Sequence, residues 1–196
     1  MHGQFGFAFA ALAAYLICAV PFGLLIARFA LGRNLRDIGS GSTGATNVLR
    51  TGSKAAAAAT LALDAAKPVF AKWLLGPSIP VMVLIPLAVV AHCWPVYLKG
   101  RGGKGVATAW GTMFLISWRL ALSALAVWLV TLALTRKSSL SAIVAGVSAP
   151  LLAWVFAHDG RVALLYAGVM AFVVLRHAGN IKRLLAGTED DVRFKR

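Results

Sequence analysis

The chain has 196 residues, of which 60% are apolar and only 13% are charged. Ordinary soluble domains carry about 25% charged residues, so this composition excludes a typical soluble domain and indicates a membrane protein. Its 20 Lys and Arg residues, against 6 Asp and Glu, give a net charge of +14. We expect membrane topology, and not nucleic acid, to explain that charge, because the cytoplasmic loops of membrane proteins are rich in Lys and Arg.

Long apolar runs follow one another along the chain, and a spanning helix needs about 20 such residues. The first run follows an N-terminus without Lys or Arg and is too long for a signal peptide, so we expect a retained span. We predict an all-α polytopic integral membrane protein in which residues 1–196 form a single membrane-embedded domain with seven transmembrane helices. The predicted spans are about residues 5–29, 56–75, 79–98, 106–117, 118–135, 140–157 and 162–176.

The fourth of these spans is short, and one long helix over residues 106–135 is the alternative. The distribution of charge decides between the two, because seven spans place most Lys and Arg residues on one side. A single helix would instead move Arg136 and Lys137 to the opposite side. The positive-inside rule therefore predicts an N-terminus outside, a C-terminus in the cytoplasm and a short, tilted or partly re-entrant fourth span. The cytoplasmic segments are then about residues 30–55, 99–105, 136–139 and 177–196.

Two glycine-rich loops with cationic side chains share this predicted cytoplasmic face. The first glycine loop reads GSGSTGATNVLR over residues 39–50, and the second glycine loop reads GRGGKG over residues 100–105. Glycine lets backbone N–H groups approach an anion and Lys or Arg supplies charge, so both loops suit a phosphate. A plain linker is the alternative for the first loop taken alone.

Neither loop matches a common nucleotide-binding motif. The first fits G-x-G-x-x-G, but it follows an apolar helix instead of the buried strand that a dinucleotide-binding fold requires. The second is not a Walker A sequence, because Gly105 stands where Ser or Thr should follow Lys104.

Several polar or reactive residues lie inside apolar runs. Asp64 and Lys67 are three residues apart, so they share a helix face and can form an ion pair, and we favour a structural role over a support for the active face. His92 is also interpreted as structural, in a position to support the loop that follows it. Cys18 and Cys93 match no metal-site spacing and are expected to be buried apolar residues, so we predict no metal.

Three strings in the chain resemble motif regions of the bacterial acyl-phosphate:glycerol-3-phosphate acyltransferases, the PlsY family. They are GSGSTGATNVLRTGSKAA, HCWPVYLKGRGGKGVATAWG and RHAGNIKRLLAGTED. The resemblance covers nearly the whole chain and implies a seven-span enzyme of the bacterial inner membrane with a cytoplasmic active site. It implies acyl transfer from acyl phosphate to the 1-hydroxyl of sn-glycerol 3-phosphate, giving lysophosphatidic acid and phosphate for phospholipid synthesis. We expect no cofactor, membrane lipids as surroundings and a monomer.

The resemblance also implies the residues of the site. Expected catalytic residues are His177, Asn180 and Ser139. Expected substrate-binding residues are Ser40, Gly41, Thr46, Asn47, Arg50, Gly102, Gly103, Lys104, Gly105 and Thr108. The chain departs from the family pattern at Pro68, Ala91, Ala142 and Ala178, and beside Ala142 the neighbouring Ser141 offers a hydroxyl instead.

Acyl phosphate is already an activated anhydride, so a covalent enzyme intermediate is unnecessary. We expect Ser40, Arg50 and Lys104 to bind phosphate oxygens together with backbone N–H groups of both loops. Asn180 would orient the carbonyl or the attacking hydroxyl, with Ser139 assisting. The proton goes to His177 or to a substrate phosphate, and the sequence leaves both open. It also leaves open the acyl chain length and which loop binds which phosphate.

Two rival functions fit less well. Transporters place their binding residues near the midplane between repeats, whereas here the glycines and cations lie on one predicted face and no repeat is evident. Thioester-dependent acyltransferases use a His followed five positions later by Asp, and none of the 4 His residues has that neighbour. A non-enzymatic scaffold would leave the three polar motifs unexplained.

Overall fold

The computed structural model describes residues 2–192, and it describes their side chains from Gly6 onward. This part of the chain contains ten α-helices and no β-strand. It consists of two compact units, which we call the N-terminal unit, Met1–Leu115, and the C-terminal unit, Ile116–Arg196. The prediction of a single domain stays a prediction.

The N-terminal unit contains six α-helices. They are α1 (His2–Ala19), α2 (Phe22–Leu31), α3 (Ala45–Leu49), α4 (Lys54–Leu75), α5 (Val81–Cys93) and α6 (Val106–Met113). The first predicted span is broken into α1 and α2 at Pro21, which has no backbone N–H to continue the helix. Helix α4 is capped by Ser53, whose side chain accepts a hydrogen bond from the Ala56 N–H at 3.2 Å.

Helix α4 packs against every other helix of the N-terminal unit. Its buried face consists mainly of small residues, which allow helix backbones to approach closely. Its approach to α6 is so close that a Cβ on Gly111 would overlap the backbone carbonyl of Ala65. Glycine at position 111 therefore sets how near α6 lies to α4.

The C-terminal unit contains α7 (Trp118–Thr135), α8 (Ser138–Ala157), α9 (Gly160–Arg176) and α10 (Ala178–Leu185). Helix α8 packs against both α7 and α9. Asp159 caps α9 by accepting a hydrogen bond from the Arg161 N–H at 2.8 Å. Helices α9 and α10 meet at His177 with a bend of 63°.

Within residues 2–192, four segments are long and apolar enough to cross a membrane, namely Gly6–Leu31, Val81–Leu98, Trp118–Thr135 and Ser138–Ala157. A fifth is counted if the bent pair α9 and α10 forms one span. These segments coincide with five predicted spans, so the prediction of an all-helical membrane protein is confirmed. The number seven and the orientation of the termini stay predictions.

The two remaining predicted spans are helical but differ from simple spanning helices. Helix α4 has 22 residues and carries Asp64, Lys67 and Lys72 along its length. Helix α6 has only 8 residues. It ends at Met113, whereas α7 begins at Trp118, so the alternative of one helix over residues 106–135 is wrong.

We expect the Gly111→Ala substitution to destabilise the protein by about 1–3 kcal/mol, because overpacking forces the α4 and α6 backbones apart. The matched control is Gly168→Ala in α9, since a Cβ at position 168 meets nothing within 4 Å. That control should leave the melting temperature unchanged or raise it, because alanine favours a helix over glycine by about 0.5–1 kcal/mol. Thermal unfolding in detergent measures both variants, and equal melting temperatures would contradict the packing argument.

Candidate active site

The first glycine loop is folded around the side chain of Asn47, which is buried. Its Nδ2 donates hydrogen bonds to the carbonyl oxygens of Leu35, at 3.1 Å, and of Ser42, at 2.9 Å. The Asn47 Oδ1 atom is buried and has no hydrogen-bond partner among the described residues. A buried acceptor without a donor is costly, so this oxygen suits a ligand or water donor.

Asn47 and Arg50 converge above Gly39 in the first glycine loop. Gly39 has φ +52, and a Cβ there would lie 2.7 Å from Asn47 Oδ1 and would overlap the Arg50 guanidinium. Only glycine accommodates both the left-handed backbone and the two side chains. Three of the predicted substrate-binding residues of this loop are exposed and therefore accessible, namely Ser40, Thr46 and Arg50.

The second glycine loop packs tightly on the end of α5. The Gly102 N–H donates to the Cys93 carbonyl at 3.1 Å, and the Gly103 N–H donates to the His92 carbonyl at 3.2 Å. These two N–H groups are used in loop folding inside the N-terminal unit. The predicted substrate contact of Gly102 and Gly103 stays a prediction. Gly105, with φ +86, then begins α6, and the half-buried Lys104 lies between these glycines.

Thr108 lies behind the second glycine loop, on α6. Its side chain is fully buried and its Oγ1 donates a hydrogen bond to the Asp64 carbonyl oxygen at 3.1 Å. The hydroxyl thus joins α6 to α4, and the predicted substrate contact of Thr108 remains a prediction.

Arg36 joins the two glycine loops, and the sequence interpretation did not include it. Its Nη1 donates to the Gly41 carbonyl oxygen at 3.2 Å, and its Nη2 donates to the Arg101 carbonyl oxygen. The two loops are therefore neighbours within the N-terminal unit. The available signal was the position of Arg36 in the polar run that precedes the first loop.

The predicted ion pair inside α4 is confirmed. Lys67 Nζ lies 2.8 Å from Asp64 Oδ1, and both side chains are almost fully buried. The approach is that of an ion pair without ideal hydrogen-bond geometry, since Oδ1 makes no regular hydrogen bond. His92 Nδ1 completes the group at 2.9 Å from Lys67 Nζ.

In the C-terminal unit, His177 occupies the bend between α9 and α10 and is 3% exposed. Its Nδ1 lies 2.8 Å from the Val173 carbonyl oxygen, which can only accept a hydrogen bond. Nδ1 must therefore carry a proton, and the neutral ring holds its lone pair on Nε2. This tautomer makes Nε2 the atom that can take up a proton.

Glu189 organises the residues around Asn180 and was missing from the predicted site. Its Oε1 accepts a hydrogen bond from Asn180 Nδ2 at 2.6 Å, and its Oε2 accepts from Arg183 Nε at 2.7 Å. Burial acts to raise the pKa of Glu189, but contacts with Ser139, Asn180 and Arg183 together bring it below its ordinary value. Ser139 Oγ contributes although it lacks a regular hydrogen bond.

The chain after α10 returns to the turn between α7 and α8. Lys137 Nζ donates to the Glu189 carbonyl oxygen at 2.8 Å and to Asp191 Oδ1 at 3.0 Å, and the Val192 N–H donates to the Arg136 carbonyl at 2.8 Å. Lys137 therefore fixes the backbone of Glu189. Glu189 lies within the third quoted string, so its position there was the one sequence signal for it.

The hydroxyl proposed to replace the family residue at Ala142 is otherwise engaged. Ser141 Oγ donates to the Lys137 carbonyl oxygen at 2.9 Å and the residue is fully buried. Ser139, two residues earlier, is the hydroxyl in contact with Glu189. Among the described residues, no group of three or more His, Cys, Asp and Glu side chains is arranged to hold a metal ion.

These features define a helical integral membrane protein with cationic, glycine-rich loops suited to phosphate. Comparison with known proteins agrees, since the model of the glycerol-3-phosphate acyltransferase family matches residues 8–187. The glycerol-3-phosphate acyltransferase of Dinoroseobacter shibae is 52% identical over 191 residues, covering 94% of this chain and 92% of that protein. That of Nitrobacter winogradskyi is 43% identical, covering 99% and 98%.

Solved structures agree with the sequence relatives. The glycerol 3-phosphate form of PlsY (YgiH), an integral membrane glycerol 3-phosphate acyltransferase, has a TM-score of 0.86 at 35% identity over 94% of each chain. The lysophosphatidic acid form has a TM-score of 0.84 at 34% identity over 94% of each chain. The chain belongs to the glycerol-3-phosphate acyltransferase (PlsY) family, as the three motif strings indicated.

We expect Glu189 to make stability depend on pH, since its contacts lower its folded pKa below the ordinary value of a glutamate. Its contribution is complete above the unfolded pKa and is lost as pH falls through the lower folded pKa. Glu189→Gln should therefore lower the melting temperature at pH 7 and flatten its decline between about pH 5 and pH 3. Thermal unfolding across this range checks it, with the exposed neighbour variant Asp190→Asn as control. Parallel wild-type and Glu189→Gln curves would contradict it.

Proposed function

We propose that the protein transfers a fatty acyl group from acyl phosphate to the 1-hydroxyl of sn-glycerol 3-phosphate. The products are 1-acyl-glycerol 3-phosphate and phosphate, within bacterial phospholipid synthesis. The observation that carries the proposal is the pair of glycine loops that Arg36 joins, in a chain of the glycerol-3-phosphate acyltransferase family. Each loop presents a cation, Arg50 in the first and Lys104 in the second, and each substrate carries a phosphate.

The N-terminal unit supplies the phosphate-binding groups. Arg50 presents a planar fork of donors that matches phosphate oxygens, and Lys104 adds a compact positive charge. Ser40 is exposed in the first glycine loop, and the unpaired Asn47 Oδ1 can accept a hydrogen bond from a hydroxyl of glycerol 3-phosphate. Because the N–H groups of Gly102 and Gly103 are used by α5, binding depends mainly on these side chains.

The C-terminal unit supplies the groups that act on the hydroxyl. Asn180 Nδ2 donates to a carboxylate that can only accept, so the orientation of the amide is determined. Its Oδ1 is then an acceptor, which favours orienting the attacking hydroxyl over stabilising the carbonyl oxygen. The Nδ1 contact of His177 with the Val173 carbonyl oxygen leaves Nε2 as the ring atom that can accept the hydroxyl proton, which supports His177 as a candidate base.

The reaction needs no covalent enzyme intermediate. The hydroxyl oxygen attacks the acyl carbon, the bond from that carbon to the phosphate oxygen breaks, and phosphate leaves with the electron pair. The proton passes to His177 or to a phosphate oxygen. Arg50 and Lys104 stabilise the leaving phosphate, while positioning of the two substrates supplies much of the rate.

The membrane location serves the lipid substrate. Each CH₂ of an acyl chain gains about 0.8 kcal/mol in the bilayer, so donor and product tails remain in lipid while their headgroups react. We place the protein in the bacterial inner membrane as a monomer with seven spans, an outer N-terminus and a cytoplasmic active site. The excess of Lys and Arg in the loops that contain the motifs supports this orientation.

We expect the purified protein to form lysophosphatidic acid from glycerol 3-phosphate and palmitoyl phosphate, and not from palmitoyl-CoA or palmitoyl carrier protein. Acyl phosphate is already an activated donor, and the chain lacks the His and Asp pair, five positions apart, that thioester-dependent acyltransferases use. Product formation in detergent or a lipid mesophase measures it, with each donor supplied separately. Activity only with a thioester would contradict acyl phosphate as the donor. If none of the three donors gave lysophosphatidic acid, acyl transfer itself would be contradicted.

We expect Lys104→Ala to raise the KM for one phosphate-bearing substrate about 10-fold to 100-fold. The loss of one hydrogen bond to a charged group costs roughly 1.5–3 kcal/mol. The control Arg33→Ala removes an exposed cation close to the first glycine loop and should change each KM less than about twofold, as for other exposed charges. Steady-state kinetics with each substrate varied in turn measures both variants, and an unchanged pair of KM values for Lys104→Ala would exclude it from phosphate binding.

We expect His177→Ala to lower kcat by about 10²–10⁴-fold with smaller changes in KM, since general base catalysis contributes that much. His158→Ala, in the turn between α8 and α9, is the control and should retain wild-type kcat. A loss of only a few-fold for His177→Ala would assign the proton to a substrate phosphate.

A further inference from the structure

We propose that the buried group Asp64, Lys67 and His92 positions the second glycine loop and thereby sets the affinity of the site for its phosphate. This polar network lies inside the N-terminal unit, beneath the loop, and its members are positioning residues without substrate contact. The proposal rests on the proposed function, because it takes the second glycine loop to bind a substrate phosphate.

Lys67 is fully engaged at the centre of the polar network. Its ammonium nitrogen lies close to three acceptors: Asp64 Oδ1 at 2.8 Å, His92 Nδ1 at 2.9 Å and the Val20 carbonyl oxygen at 3.2 Å. The exposed fractions of Asp64, Lys67 and His92 are 1%, 3% and 6%. Water therefore contributes little to the solvation of these side chains, so their polar atoms depend on contacts within the protein.

The position of Lys67 determines the state of the His92 ring. An ammonium group has only donors, so His92 Nδ1 must accept and the ring proton resides on Nε2. The ring cannot turn over without losing its contact with Lys67, because Cδ2 would then take the place of the Nδ1 acceptor beside the ammonium group. Lys67 thus fixes both the tautomer and the orientation of His92.

His92 in turn touches the second glycine loop in two places. Its backbone carbonyl accepts the Gly103 N–H at 3.2 Å, and its Nε2 occupies the space where a Cβ on residue 103 would be. Lys104 is the next residue along the chain. A change in the ring orientation therefore displaces the backbone immediately before the proposed phosphate-binding lysine.

A purely structural role accounts for less of this arrangement. An ion pair between Asp64 and Lys67 would satisfy the two charges within α4 without a third partner. Buried ion pairs are also weak sources of stability, and apolar replacements of both partners are often neutral or stabilising. The connection through His92 to Gly103 is the part that stability does not require and that positioning of the loop explains.

The test uses the full-length double variant Asp64→Asn/Lys67→Met, which removes both charges and leaves neither one buried alone. Thermal unfolding of the purified protein is measured against increasing glycerol 3-phosphate and, separately, inorganic phosphate. We expect a melting temperature near wild type without ligand. The ligand concentration for half-maximal stabilisation should rise about tenfold or more, because a displacement of about 1 Å can cost about a hundredfold.

Two further variants sharpen the test. His92→Phe keeps a ring beneath Gly103 but removes the Nδ1 acceptor, so it should weaken phosphate stabilisation in the same direction. Lys72→Met is the matched control on α4, because Lys72 Nζ donates to the Gly76 and Ile79 carbonyls and lies outside the polar network. It should leave the ligand dependence unchanged. In kinetics, the network variants should raise the same KM that Lys104→Ala raises, with kcat changed less.

The outcomes separate the two proposals. Wild-type protein that neither ligand stabilises would overturn phosphate binding and this inference together. A second outcome would overturn this inference alone. In it, ligand stabilises the wild type, and the Asp64→Asn/Lys67→Met and His92→Phe variants fold and show the same ligand dependence as the wild type. Failure of both network variants to fold would assign the network to stability and would also overturn it.

Discussion

The ion pair between Lys67 and Asp64 is the interaction that connects the parts of the N-terminal unit around the glycine loops. Two charges in an apolar helix are tolerated only with partners, and the pair supplies them at 2.8 Å within α4. Helix α4 then serves as the centre of packing for α1, α2, α3, α5 and α6, with small residues on its buried face. The same pair reaches the break in the first span through Val20 and the second glycine loop through His92.

Glycine has two different uses in the loops of this protein. Gly39 provides a left-handed backbone that leaves room for Asn47 and Arg50, so it gathers side chains that can bind an anion. Gly102 and Gly103 instead allow the chain to lie directly against the end of α5, with their N–H groups bonded to its carbonyls. A glycine-rich string therefore does not by itself show that backbone N–H groups face a phosphate.

A buried carboxylate holds polar side chains in place in each unit. In the N-terminal unit Asp64 holds Lys67, and in the C-terminal unit Glu189 holds Asn180 and Arg183. The second carboxylate determines which end of the Asn180 amide is available, which is a chemical choice and not only a packing one. Because Asn180 and Arg183 both bind Glu189, the same contacts affect the stability of this region and the orientation of the Asn180 amide.

The sequence by itself determined the membrane class, the helical composition, the family and the pairing of Asp64 with Lys67, because these follow from apolar runs, motif strings and i,i+3 spacing. Tertiary structure alone decided the roles of Arg36 and Glu189. Arg36 contacts a carbonyl 65 positions away, and Glu189 is held by Lys137 from the turn between α7 and α8. It also decided the tautomer of His177 and the use of the Gly103 N–H. Helical periodicity in the sequence does not predict these contacts, because it relates only residues a few positions apart.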